Sequence, residues 1–387
     1  MDLGGTWRAV EASEDLRRVF ADPDHREDNW DPVSVPGHWR SSPAFADSDG
    51  PLLYRRTFEQ PPPATGRRRW LVLDGLFYQG DVWLDGGYVG DTEGYFFPHE
   101  FEVTAPTIER GEHLLAVEVT CAPQTDRTAK RNLTGVFQDW DCFDPEWNPG
   151  GIWRPVRLEE SGPVRIRALN VVCREASAER AVLAFRAVLD AIEPGPVKLR
   201  TAVGELDDET ERPLAAGENK VDWAVTVTEP RLWWPWALGD QPRYDVIVEV
   251  QTPSADTGPS DRRTLRTGLR HVVMRNWIVS VNGERLFLKG SNHGPTRMAL
   301  AEASAEEVTA DVDLAKQAGL DFLRVHAHVA RPELYDAADT AGLLLWQDMP
   351  LQRGYARGLR KQAVRQAQAA VRLLGHHPSI VLWCGHN

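Results

Sequence analysis

The sequence predicts a multidomain fold in which two all-β sandwiches precede a parallel α/β unit. Three observations point there. Residues 1–162 alternate short apolar stretches with Gly, Pro and Asp turns and carry no convincing helix. Residues 163–270 hold about seven strand-like stretches and fewer aromatics. From residue 271 the rhythm changes to strand–helix repeats whose strands are apolar throughout.

In the first segment, Trp70-Leu71-Val72-Leu73 runs into Asp74-Gly75, and Asp81-Val82-Trp83-Leu84 into Asp85-Gly86-Gly87. Residues 113–119 alternate in the same way, as a sandwich strand covered on one face requires. In the second segment, residues 180–189, 222–227 and 244–250 alternate cleanly. Residues 251–263, rich in Ser, Pro, Asp and Gly, read as a hairpin loop. An immunoglobulin-like sandwich suits this segment; only antibody-type domains need the Cys…Trp…Cys framework that it lacks.

In the third segment, residues 286–289 are expected to form the first strand. Ser304 and Glu307 then make a capping box for a helix that stops at Gly319. Residues 321–325 form the next strand, and Pro332 opens a helix that closes at Gly342. Residues 343–347 form a third strand, residues 362–374 a helix that stops at Gly375, and residues 379–384 a fourth strand. Such repeats build a parallel sheet, either doubly wound or a barrel. A doubly wound fold wants a glycine-rich phosphate loop after its first strand, and Lys289-Gly290-Ser291-Asn292 is not one.

Composition bounds the function. The 387 residues carry 42% hydrophobic and 26% charged side chains, the balance of an ordinary globular chain. The net charge of −13 leaves no broad basic surface for nucleic acid or anionic lipid. No apolar run approaches the ~18 residues needed to span a bilayer. The N-terminus lacks a basic stretch followed by an apolar one, so a cytoplasmic location is expected. Cys121, Cys142, Cys173 and Cys384 have neither metal nor redox spacing, and no metal or cofactor is expected. The 15 Trp suit the apolar faces of sugar rings, but they also fill cores.

In a (β/α)₈ barrel the working residues sit at the C-terminal strand ends. Those ends read Ser291-Asn292-His293, then Arg324-Val325-His326-Ala327-His328, then Trp346-Gln347-Asp348, then Trp383-Cys384-Gly385-His386-Asn387. Polar and aromatic groups at all four ends would converge on one rim. His376-His377 precedes Pro378 at the opposite end of the fourth strand, the face of a barrel given to stability rather than chemistry. No nucleophile elbow, P-loop or His-Glu-x-x-His motif competes.

The stretch His377-Pro378-Ser379-Ile380-Val381-Leu382-Trp383-Cys384-Gly385-His386-Asn387 resembles the fourth barrel strand of glycoside hydrolase family 2, most closely its β-mannosidase-like branch. Leu232-Trp233-Trp234-Pro235 resembles that branch's Trp-Trp-Pro motif. Gly151-Ile152-Trp153-Arg154-Pro155-Val156 and Asp81-Val82-Trp83-Leu84-Asp85-Gly86 resemble segments of the family's sugar-binding sandwich. The resemblance implies a jelly-roll sugar-binding domain over residues 1–162, an immunoglobulin-like sandwich over 163–270, and the first half of a TIM barrel over 271–387.

It also implies a retaining exo-β-glycosidase of the β-mannosidase or β-galactosidase kind, acting on a small or oligomeric β-glycoside. One carboxylic acid protonates the glycosidic oxygen while a carboxylate about 5 Å away attacks the anomeric carbon. In the family the acid is the Glu directly after the Asn matched by Asn387, and the nucleophile is a Glu on a later strand. Neither falls within these residues, so the chain is expected to be inactive alone and to hold only the substrate-binding part of the site.

For that part, Asn387 matches the Asn that bonds the sugar 2-hydroxyl, and Arg324 matches an organiser of the carboxylates. Trp383, His386, Asn292 and Asp348 complete the expected rim. The second strand departs from the family pattern: Ala327 stands at the usual sugar-contacting His position, and His326 is offered to substrate instead. His328 is expected to be structural. Trp140 and Asp141 match a Trp-Asp pair that reaches the site from the first sandwich. The alternative class is a non-catalytic carbohydrate-binding protein with a vestigial half-barrel.

Overall fold

The computed structural model describes residues 1–108, 111–139, 142–253 and 258–387. The first sandwich faces a six-stranded antiparallel sheet against a three-stranded one. The larger runs in the order Asp31–Val35, Gly5–Glu11, Leu52–Glu59, Glu112–Thr120, Gln79–Leu84, Gly87–Glu93. The smaller runs His99–Glu102, Arg68–Leu73, Val156–Ser161. Its one α-helical turn, Glu14–Arg17, is capped by Ser13 and buries nothing. Between the sheets Phe77 stacks on Tyr95 at 4.4 Å, a pair worth ~0.5–1.5 kcal/mol beyond its buried area.

Among its described residues the second sandwich has seven strands, as its alternation predicts. Val164–Ala176, Arg180–Ala191 and Gly217–Thr228 form one sheet. Leu206–Leu214, Gly195–Val203, Tyr244–Gln251 and Asp261–Thr267 form the other. The last two strands pair antiparallel from Tyr244↔Thr267 to Val250↔Asp261; residues 261–263 of the expected loop belong to the second of them, and residues 254–257 lie outside the described residues. Phe185 stacks on Trp223 in a core separate from the rest of the molecule.

A small antiparallel sheet, Val272–Arg275, Ile278–Val281 and Glu284–Leu286, leads into four parallel strands. The first of these is Gly290–His293, not residues 286–289: Leu286 ends the antiparallel sheet and Phe287 is 87% exposed. The apolar run misled because the true strand is polar. Its Gly290 is dictated by packing, since a Cβ there would stand 2.3 Å from the Phe322 ring. Phe322–Val325, Leu344–Asp348 and Ile380–Cys384 follow, each paired in parallel with the strand before it.

The intervening helices obey their sequence signals. Ala305–Gln317 carries the complete Ser304/Glu307 capping box. Pro332–Ala341 opens on Pro332 and ends at left-handed Gly342. Arg360–Leu374 buries Gln366, Ala370 and Leu374. They cover the sheet face that carries Leu323, Val325, Leu345 and Gln347, all buried. The other face, with Asn292, Arg324 and Trp346, is only partly covered. Among the described residues the sheet ends at its first and fourth strands.

The first sandwich and the α/β unit share one buried cluster. Tyr95 ties them: its hydroxyl accepts from Val329 N at 2.7 Å. The Trp-Trp-Pro stretch docks the second sandwich, with Trp233 Nε1 donating to Asp339 O at 2.9 Å and Trp236 Nε1 to Leu320 O at 3.0 Å. No helix among the described residues is long and apolar enough to cross a membrane.

Burial lowers the pKa of His38 and His99 to about 4 and of His328 to about 3, from an ordinary 6.5. Between those values the unfolded chain binds protons that the folded one refuses, so stability falls as pH drops below about 6.5 and is fully present above it. His328→Gln is therefore expected to remove about one proton, or ~1.4 kcal/mol per pH unit, from the slope of unfolding free energy between pH 4 and 6. Denaturant melts across that range check it; an unchanged slope would contradict it.

Candidate functional site

The upper ends of the second, third and fourth parallel strands meet at one guanidinium. Arg324 donates to Asp348 through Nε at 3.1 Å and Nη2 at 2.8 Å, and Nη2 also donates to Asn387 Oδ1 at 2.7 Å. Asp348 is fully buried (0% exposed) and accepts a further bond from Ala327 N at 3.1 Å. Arg324 stands 5.2 Å over the Trp346 ring, and its pKa is raised, chiefly by the Asp348 hydrogen bond. A guanidinium only donates, so it must face the Asn387 oxygen. That leaves Nδ2, on an exposed side chain, as a donor with no hydrogen bond among the described residues.

Backbone bonds hold this end of the chain. Asn387 N donates to Leu351 O at 3.0 Å, and His386 Nε2 meets Arg353 O at 2.8 Å, which makes Nε2 the protonated nitrogen. Asn292 is the register partner of Arg324 on the same face; its exposed side chain makes no hydrogen bond among the described residues. His326 Nδ1 lies 3.9 Å from Asp348 Oδ2. His328 is fully buried, its Nδ1 bonded to His326 O at 2.9 Å and its ring edge-on to Phe137.

Trp383 is placed apart from these. A one-residue bulge after Leu345 pairs it with Gln347 rather than Asp348, so it lies on the helix-side face, 38% exposed, opposite Arg324 and Trp346. The expected gathering of Trp383 on the rim is thus not what the register gives. Trp140 and Asp141 lie outside the described residues.

The first sandwich reaches the same rim directly. Val136 N donates to Ala327 O at 3.0 Å, and a Cβ on Gly135 (φ +61°) would stand 1.7 Å from that oxygen. Only glycine fits this approach. Ala327 itself has φ +48°. Beside it, Asp139 joins Lys130 at 3.1 Å and Arg353 at 3.0 Å. Sequence reasoning passed over Asp139 and Arg353, whose partnership spans 214 positions and leaves no local signal.

Elsewhere, Asp336, Asp339 and His377 place potential metal-ligand atoms within 4.8 Å of one another. Asp339 is already committed to His377 Nδ1 at 2.7 Å and to Ser379 N at 3.1 Å, a hydrogen-bonded strut at the foot of the fourth strand. A cavity of about 660 Å³ opens beside that strut, between Arg154, Arg243 and Tyr335, away from the Arg324 rim.

The family model described as the galactose-binding-like domain of glycosyl hydrolase 2 matches residues 47–158, and that described as glycosyl hydrolases family 2 matches residues 176–270. Over 375 residues the chain is 28% identical to β-mannosidase B of Aspergillus oryzae, covering 88% of this chain and 44% of that one. It is 26% identical over 338 residues to the exo-β-D-glucosaminidase of Arthroderma benhamiae, covering 80% and 36%. Among solved structures it superposes on the β-D-mannosidase of Dictyoglomus thermophilum with TM-score 0.84 at 22% identity, over 100% of this chain and 52% of that one. The exo-chitosanase of Amycolatopsis orientalis gives TM-score 0.81 at 22% identity, over 98% and 48%. The chain thus spans less than half the length of the curated relatives it matches.

Proposed function

The chain belongs to glycoside hydrolase family 2 and is β-mannosidase-like within it, and from that premise we propose that it carries the substrate-holding part of a retaining exo-β-glycosidase site. Residues 1–162, 163–270 and 271–387 form its three domains, the last being the first half of a (β/α)₈ barrel. Strand order 1-2-3-4 without reversal supports a barrel over a doubly wound sheet, whose order reverses at a switch point.

In this reading the pyranose sits over the partly covered face near Asn292 and Trp346. Asn387 Nδ2 donates to the sugar 2-hydroxyl, a contact that strengthens as the oxocarbenium-like transition state forms. Arg324, neutralised by Asp348, orients that amide. His326 and His386 border the sugar, and Trp140 and Asp141 are assigned to substrate on the resemblance of their sequence alone. The acid/base Glu follows Asn387 in the complete enzyme and a second Glu acts as nucleophile. Held about 5 Å from an ionised partner, the acid has its pKa raised toward neutrality. The observation that carries the reading is the Arg324–Asn387 bond, which fixes the amide with its donor outward.

The test is a panel of aryl β-mannoside, β-galactoside, β-glucosaminide and β-glucuronide, assayed with the complete enzyme and with residues 1–387 alone. The complete enzyme is expected to hydrolyse the β-mannoside with retention, and the 387-residue chain none of them. Turnover by the shorter chain, inversion, or no turnover of any glycoside by the longer would each overturn the proposal.

A further inference from the structure

We propose that Asp139, a buried carboxylate of the first sandwich, is a positioning residue for Asn387 and acts through Arg353. The proposal rests on the 2-hydroxyl contact assigned to Asn387 above. It goes beyond it in making a residue of another domain a determinant of that contact.

The connection can be followed bond by bond. Asp139 is 0% exposed and Lys130 3% exposed, and the Lys130 ammonium also lies 5.0 Å over the Tyr355 ring. On its other oxygen Asp139 accepts from Arg353 Nε at 3.0 Å. Arg353 has φ +63°, the left-handed region that an L side chain occupies only at a cost. The turn around it is pinned to the sandwich by its backbone as well. Lys130 N donates to Gly354 O at 3.2 Å, Ala356 N to Lys130 O at 3.0 Å, and Gly354 N to Arg127 O at 3.3 Å.

That turn is what the last residues hang from. The carbonyl of strained Arg353 receives His386 Nε2, and the carbonyl of Leu351 receives Asn387 N. Asn387 then meets Arg324, whose other partner is Asp348. Two anchors therefore fix the amide: Arg324 from the barrel side, and the 351–356 turn from the sandwich side. A strained residue persists only where its surroundings over-determine it, and the Asp139 ion pair is a side-chain contribution to that constraint. Releasing Arg353 lets the turn relax to a negative φ. Its carbonyl then swings away from His386, and the second anchor is left with the Leu351 bond alone.

A positioning role differs from a merely structural one in which substrate it affects. Asp139→Asn in the complete enzyme is expected to lower kcat/KM for an aryl β-mannoside by about 30-fold but for the matching 2-deoxy glycoside by less than about 3-fold, since only the former uses the 2-hydroxyl contact. Arg353→Lys keeps the cation, loses the Nε geometry, and is expected to show the same selectivity at smaller size. It carries the test if Asp139→Asn does not fold. Equal losses on both substrates in the folded variants would overturn the proposal and leave the glycosidase assignment standing. A wild-type enzyme that turns over both substrates equally would instead sink the 2-hydroxyl contact, and the proposal with it.

Discussion

Asn387→Ala in the complete enzyme is expected to lower kcat on an aryl β-mannoside by roughly 10²–10³-fold while changing KM by less than about 5-fold. The size follows from the nature of the contact. A hydrogen bond to the 2-hydroxyl that tightens as positive charge builds at the neighbouring carbon contributes several kcal/mol in the transition state and little in the ground state. Asn387 is well placed to make that distinction. Its oxygen is held by Arg324 at 2.7 Å and its backbone by Leu351 at 3.0 Å, so the donor is pre-oriented and need not reorganise as the reaction proceeds. Steady-state kinetics separate the outcomes: a matching rise in KM with kcat intact would mean that the amide only helps the sugar to bind.

The second large effect is on stability. Asp348→Ala is expected to destabilise the α/β unit by about 2–4 kcal/mol, because it removes a fully buried carboxylate and takes the acceptor from the partly exposed Arg324 guanidinium and from the Ala327 N–H. Asp348 has no exposed surface and satisfies three donors, Arg324 Nε, Arg324 Nη2 and Ala327 N. Ala327 is already in the left-handed region, so losing its N–H partner compounds the loss. The melting transition of that unit is expected to fall by roughly 10 °C. Asp348→Asn, which can still accept from Ala327 N, is expected to lose about half as much. Equal losses would put the whole effect on the charge.

Much of this fold was legible because its signals are local. Ser304 with Glu307, and Pro332 with Gly342, mark helix ends by capping chemistry that needs nothing beyond the helix itself. The wholly apolar stretch before Gln347 and the alternation of residues 180–189 each follow from which faces are buried. The Arg324, Asp348 and Asn387 cluster was within reach because strand ends in a parallel sheet share a rim.

What stayed hidden depends on register and on distant pairs. Gly290–His293 is a strand without a strand's composition, held by its neighbour and by the Phe322 ring packed on Gly290. Trp383 changes face through a single bulge, and an inserted residue reverses every side chain beyond it. Asp139 and Arg353 meet only once two domains have docked.

The most direct measurement is a crystal structure of the complete enzyme with a β-mannoside bound. The sugar is expected over the face that carries Asn292 and Trp346, with Asn387 Nδ2 about 3 Å from its O2 and Arg324 still bridging Asn387 and Asp348. A pyranose seated elsewhere, such as the cavity beside Arg154 and Tyr335, or one whose O2 lies beyond hydrogen-bonding reach of Asn387, would contradict it.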